Sequence, residues 1–204
     1  MYQLYYWGSP LIIMTLDQKR WLLLLVSCII NLFAGSIYAW SVFASPLAER
    51  ISSLLQTSLT SADLAIAFSI ANALGPIPMI FGGLINDRFG PKFVIAAGGI
   101  SMGFGLYASG NAESVSELIV SYGLFFGTGL SLVYGCTINN TLKFFPDHRG
   151  LVGGLATAAY GISSVLVPPI ATQLISVYGI TNALEIMGVF IGGVIVIGGF
   201  LSMR

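Results

Sequence analysis

Charge is what this sequence has least of. Of its 204 residues only 8% are Asp, Glu, Lys or Arg, while 56% are hydrophobic and the mean hydropathy is +0.89. Soluble domains carry about 25% charged residues, so there is too little charge here to cover a water-facing surface. That excludes an ordinary cytosolic enzyme and a disordered protein. Eight Lys and Arg balance eight Asp and Glu, which leaves no net charge to attract a nucleic acid. Histidine and cysteine are scarce too, with one His and two Cys. Cys28 and Cys136 each sit in an apolar stretch, where a small core residue is the ordinary reading. No CxxC, HExxH or phosphate-loop pattern occurs, and no catalytic residue, metal or cofactor is expected.

What the chain does have is glycine, 25 of them, with eight prolines. Both are tolerated in membrane helices that pack closely or kink. A spanning helix needs about 20 apolar residues. Six stretches meet that need, at roughly 21–44, 62–85, 93–110, 117–142, 150–175 and 182–203. The expectation is an all-α membrane protein with six transmembrane helices over 19–204. The first long run is read as a span rather than a cleaved leader, being of full length and without a small-residue cleavage site. Ahead of it lies an aromatic-rich tail, 1–18, with Tyr2, Tyr5, Tyr6 and Trp7, expected at the interface.

The basic residues set a topology. Lys19, Arg20, Arg88, Lys92, Lys143, Arg149 and Arg204 fall on one side of the six spans, and Arg50 alone on the other. By the positive-inside rule both ends of the chain are expected on the cytoplasmic side, and the membrane is expected to be the plasma (cell inner) membrane. Thr60 with Asp63, and Ser114 with Glu117, are spaced as capping boxes opening spans two and four. Pro76 and Pro78 in span two, and Pro168 and Pro169 in span five, remove backbone donors and are expected to bend their helices.

Between spans two and three the chain reads Gly83-Leu-Ile-Asn-Asp87-Arg88-Phe89-Gly90-Pro91-Lys92. Gly83 is suited to close helix approach and Gly90 to a positive φ. Asp87 can accept nearby N–H groups, while Arg88 and Lys92 suit an anionic membrane face. This loop resembles the signature of the major facilitator superfamily. A second stretch runs from Leu132-Val133-Tyr134-Gly135 through Lys143-Phe144-Phe145-Pro146-Asp147-His148-Arg149-Gly150-Leu151 to Tyr160-Gly161. With Gly35, Tyr38 and Trp40 of span one, it is similar to the oxalate/formate antiporter branch and, in part, to monocarboxylate-type carriers. Two departures, no Arg between Ser116 and Thr128 and no drug-antiporter glycine signature in span five, fit an organic-anion carrier.

That resemblance implies a function: transport of small organic carboxylates such as oxalate, formate or related monocarboxylates by alternating access. It implies a fold as well, the first six-helix half of a twelve-span carrier, with spans 1–3 and 4–6 as a 3+3 inverted repeat. Gly35-x-x-Tyr38 and Ser131-x-x-Tyr134 fall at comparable places in the two triplets. The implied substrate-facing residues are Tyr38, Tyr134, Tyr160, Trp40 and Asn139, with Asn31, Asn140 and Gln173 behind them as amides that more often bond another helix. Gly83, Asp87, Arg88, Gly90 and Lys92 form the implied conformational latch, and Asp147 and Arg149 a second cytoplasmic loop. Lys143, His148 and Arg149 are the local partners available to Asp87.

No basic residue falls at mid-depth in any span, yet an unpaired anion in low dielectric is prohibitively costly. In the family resembled the compensating cations come from the second half. The expected partners are therefore the small carboxylate, the lipid bilayer, and a second six-helix half or another chain. The alternative is a half-size subunit without independent transport. The spacings Gly123, Gly127 and Gly129, and Gly192, Gly193, Gly198 and Gly199, suit either packing within the bundle or dimerisation of such a subunit.

Overall fold

The computed structural model describes residues 16–201, with side chains from residue 19 onward. The expected tail lies outside these residues up to 15, and so does Arg204; residues 16–18 already belong to the first helix. Every regular element among the described residues is helical. The elements form five stretches long and apolar enough to cross a membrane. The first comprises α1 (Leu16–Ala34), a 3₁₀ turn (Gly35–Ala39) and α2 (Trp40–Leu55). The second comprises α3 (Ser61–Ala73) and α4 (Pro76–Phe89), and the third is α5 (Pro91–Asn111). The fourth joins α6 (Val115–Leu118), a π-helical segment (Ile119–Phe126) and α7 (Gly127–Phe144). The fifth, α8 (Arg149–Leu201), is 53 residues long.

A straight helix of that length would reach about 80 Å, far beyond a hydrocarbon core of about 30 Å. It is not straight. Gly179 has φ 77° and ψ 168°, a region essentially reserved for glycine, and the chain reverses there. Before it, Tyr160 and Ser163 lie against Gly35 of the first stretch. After it, Thr181 and Leu184 lie against Gly110, Gly188 and Gly192 against Gly103, and Ile195 against Gly99. The last rod therefore runs antiparallel to α5. The described chain folds as six helical rods, the fifth and sixth joined by one glycine rather than a loop.

Prolines act unequally. In the second stretch Pro76 has no N–H to donate, and Gly75 turns its own onto the Asn72 carbonyl at 3.2 Å, so α3 ends and α4 begins. Pro168 and Pro169, by contrast, sit inside helical backbone, and the departure in α8 is at Gly179. The ring of proline fixes φ near a helical value, so a lost donor need not break the helix.

The bundle is held by close backbone approach and an aromatic cluster. A Cβ added at Gly103 would stand 2.7 Å from the Gly188 carbonyl, and one at Gly188 2.6 Å from the Gly103 carbonyl. Lipid tails are as apolar as the helices, so contact of this kind, rather than exclusion from water, keeps rods together. Gly123, Gly127, Gly129, Gly192, Gly198 and Gly199 all meet neighbours within the chain, and only Gly193 of the proposed dimer glycines faces open space. Trp40 stacks on Phe68 with centroids 5.8 Å apart and tilts against Tyr122 at 4.6 Å, which stacks on Phe126 at 4.6 Å. The Tyr122 hydroxyl donates to the Ile37 carbonyl at 3.5 Å, tying the π-helical segment to the 3₁₀ turn.

Charges collect at the two ends of the rods. At one end Arg20 pairs with Asp147 at 3.1 Å, His148 with Asp147 at 2.7 Å and Lys143 with Asp87 at 2.6 Å. At the other, Arg50 donates to the Ala112 carbonyl at 2.5 Å and Asn111 to Glu185 at 2.8 Å. There the Asp63 carboxylate accepts the Thr60 N–H and hydroxyl, both at 2.8 Å. Ser114 accepts the Glu117 N–H at 3.2 Å, but Glu117 reaches past it to the Glu113 N–H at 2.8 Å, so the second box is only half formed.

Candidate functional site

Three rods converge on an open cleft of about 140 Å³. The second contributes Asn72, Gly75 and Met79, the fourth Leu130, Ser131 and Tyr134, and the fifth Tyr160. The first rod lies behind this wall: the Tyr38 ring, which does not line the cleft, meets Tyr160 edge-on with centroids 5.4 Å apart. Tyr134 tilts against the other side of Tyr160 at 4.7 Å. The three tyrosines singled out in the sequence thus form one cluster with Tyr160 at its centre.

Local packing explains the meeting. Gly35 lies directly against the Tyr160 carbonyl and Ser163, so a side chain there would push the first rod off the fifth and separate Tyr38 from Tyr160. Met79 packs over Gly135, where a Cβ would be 2.5 Å from its Cγ, drawing the second rod onto the fourth beside Tyr134. The break at Gly75 opens the second rod onto the same space.

The cleft is polar but uncharged. The Asn72 amide donates to the Phe68 carbonyl at 2.8 Å and Ser131 to the Gly127 carbonyl at 2.8 Å, so both use their donors within their own helices. No described hydrogen bond engages the hydroxyls of Tyr38, Tyr134 and Tyr160. A phenol offers one directed donor on an apolar wall, and three of them suit the edge of a small carboxylate. None of the lining residues is charged. Among the described residues no group of three or more His, Cys, Asp or Glu could hold a metal ion.

Two residues grouped with the tyrosines lie elsewhere. Trp40 is 8% exposed and belongs to the aromatic core. Two positions along a helix is a rotation of about 200°, so with Tyr38 turned to Tyr160 Trp40 points away. Asn139 is exposed and does not line the cleft; five positions beyond Tyr134, it is rotated about 140° and displaced toward Lys143. Asn31 is fully buried with neither end of its amide partnered among the described residues, and Asn140 is 8% exposed.

The signature loop takes a form of its own. Gly90 adopts φ 88°, as the turn between α4 and α5 requires. Gly83, expected at a close helix approach, has open space around its Cβ position; that approach falls one residue earlier, at Gly82, 2.7 Å from Leu132. The carboxylate of Asp87 accepts no described N–H of its own loop. It accepts Lys143 Nζ at 2.6 Å, one of its three possible partners. His148 turns instead to Asp147, and Arg20, which the sequence gave no reason to place there, completes that pair from the first rod. Burial pushes the Asp147 carboxyl up, but hydrogen bonds from its own backbone and His148, with Arg20 nearby, hold it below the usual carboxylate range.

Sequence comparison agrees with this geometry. The family model of the Major Facilitator Superfamily matches residues 24–204. The uncharacterized MFS-type transporter YhjX of Escherichia coli is 29% identical over 186 residues, 91% of this chain and 44% of that protein. The oxalate:formate antiporter of Oxalobacter formigenes is 29% identical over 184 residues, 90% of this chain and 42% of that one. Monocarboxylate transporter 11 of Mus musculus is 31% identical over 124 residues, 61% and 27% of the two chains. The chain spans less than half the length of these relatives. With its membrane-length helices, its signature turn at Gly90 and a family match over most of its length, the chain is an integral multi-pass membrane protein that belongs to the Major Facilitator Superfamily.

Proposed function

We propose that this chain supplies the first six-span half of a secondary transporter for small organic carboxylates, oxalate, formate or related monocarboxylates, working by alternating access. The observation that carries the reading is the uncharged cleft, lined by Tyr134 and Tyr160, with Tyr38 packed against Tyr160. The names of the relatives point to the same substrate class.

In this reading the six rods cross the membrane over 19–204, the tail 1–18 lies at the interface, and both ends are cytoplasmic in the plasma membrane. Carriers of this kind bind substrate near the midplane between two bundles that rock about it. The phenols orient the carboxylate. The charge that makes its desolvation tolerable comes from a second half, supplied by further chain or by another polypeptide. Asp87 and Lys143, at the ends of α4 and α7, fix the cytoplasmic face of this half while the halves move. The alternative, a dimerising accessory subunit, has less behind it, because most of the glycines that motivated it are occupied inside the bundle.

The test is exchange of labelled oxalate and formate in proteoliposomes holding this chain together with a six-span second half. Saturable exchange, inhibited by small carboxylates and not by sugars or organic cations, is expected. Exchange indifferent to carboxylates would overturn the substrate class while leaving the fold untouched.

A further inference from the structure

A second concave site lies on the outer flank of the bundle, away from the tyrosines. It is an apolar groove of about 410 Å³ lined by Ile85 and Phe89 of α4, Phe93, Val94 and Ala97 of α5, and Leu132 of α7. Phe89 and Phe93 are 54% and 62% exposed, so the groove is open to its surroundings along the signature turn. Leu132 reaches it because Gly82 lets the fourth rod approach α4.

One cation stands at its mouth and a second precedes a lining residue in the chain. The Arg88 guanidinium lies 5.6 Å from the centroid of the Phe89 ring, and Lys92 immediately precedes Phe93. Among the described side chains at this end, Asp87 is taken by Lys143, and Asp147 by Arg20 and His148. Arg88 and Lys92 are left without a described carboxylate. A helix end carrying two uncompensated cations beside an apolar trough has the complement of one particular molecule in a bilayer: an anionic headgroup with an acyl chain attached.

We propose that the groove between α4, α5 and α7 is a binding site for an anionic phospholipid, its chain against Ile85, Val94, Ala97 and Leu132 and its phosphate between Arg88 and Lys92. Each juxtamembrane cation contributes about a fivefold preference for anionic lipid, so two give about 30-fold. The site rests on the protein being in a membrane and not on what it transports.

Native mass spectrometry of the full chain, released from micelles with equal amounts of dioleoylphosphatidylglycerol and dioleoylphosphatidylcholine, tests this. One phosphatidylglycerol retained per chain, preferred by about 30-fold, is expected. In Arg88→Gln with Lys92→Gln the preference falls toward unity. Ala97→Trp, which fills the groove and leaves both cations, removes retention of the lipid; Ala97→Leu, a smaller intrusion on the same exposed position, weakens it in part. Arg149→Gln, on α8, which lines none of the groove, retains it. Equal retention of the two lipids by the unaltered chain overturns the proposal. So does undiminished phosphatidylglycerol on Ala97→Trp, which would leave only diffuse attraction of headgroups, and so does a lipid-free dimer. Carboxylate exchange could fail altogether without affecting any of these readings.

Discussion

The seam between α5 and the last rod and the cleft around Tyr160 are built from opposite materials. In the seam, glycines on both sides let backbones touch, with Gly103, Gly188 and Gly192 separated by less than a side chain would need. In the cleft, three large rings meet at 4.7–5.4 Å with space beside them. The second stretch, which forms one wall of the cleft, is also the least buried of the five, while the third and fourth are the most enclosed together with the first. The contrast divides the bundle into a part that holds and a part that receives. Rigid contact without side chains fixes two rods; a looser, polar and uncharged wall borders the open cleft.

The largest effect expected from breaking this division is in the seam. Gly103→Val places atoms where the Gly188 carbonyl and Gly192 already stand. It should cost about 3 kcal/mol or more, read as a large fall in thermal unfolding temperature in detergent. Gly193→Ala, in open space, should stay within about 0.5 kcal/mol of the unaltered protein. If both behave alike, the seam is not what holds the rods.

The cleft should answer differently. Tyr160→Phe keeps both ring contacts and removes one donor, so unfolding should hardly change. In the assembled carrier, by contrast, carboxylate affinity should fall about tenfold, the worth of one hydrogen bond to a charged group. Trp40→Phe should do the reverse, loosening the aromatic core with little effect on affinity. An equal loss of affinity in both would put Trp40 back in the site.

Smaller effects belong to the ends of the rods. Asp87 and Lys143 are 60% and 52% exposed, so a double-mutant cycle with Asp87→Asn and Lys143→Gln should give a stability coupling of no more than about 1 kcal/mol, shrinking with salt. Transport should suffer far more than stability if the pair fixes the cytoplasmic face during rocking. Smallest is Asp63. Its carboxylate accepts the Thr60 N–H and hydroxyl at the start of α3, so Asp63→Asn should cost about 0.5 kcal/mol, read as a slight fall in thermal unfolding temperature.

Much of the architecture was legible because lipid imposes one rule, long apolar helices with charges at their ends. Gly90 announced its positive φ through the motif around it, and the three tyrosines were singled out by the resemblance. Other features had no local signal. Gly179 looks like any of the 25 glycines, and nothing in its neighbours marks it as the single residue on which the chain turns back. The π-helical segment at Ile119–Phe126 and the 3₁₀ turn at Gly35–Ala39 arise from tertiary contact, Tyr122 reaching Ile37, and leave the hydrophobic pattern intact. Trp40 and Asn139 do not line this cleft; the resemblance gave their rods but not their rotation. Arg20 and Asp147 are 127 positions apart, beyond any pattern in one sequence.

The central claim is that anion capture here is unfinished, since the cleft provides phenols and no cation. Flux of labelled oxalate or formate into liposomes containing only this purified chain tests it most directly. The account predicts flux no greater than in protein-free liposomes, restored when a six-span second half is added; saturable uptake by the chain alone would contradict it.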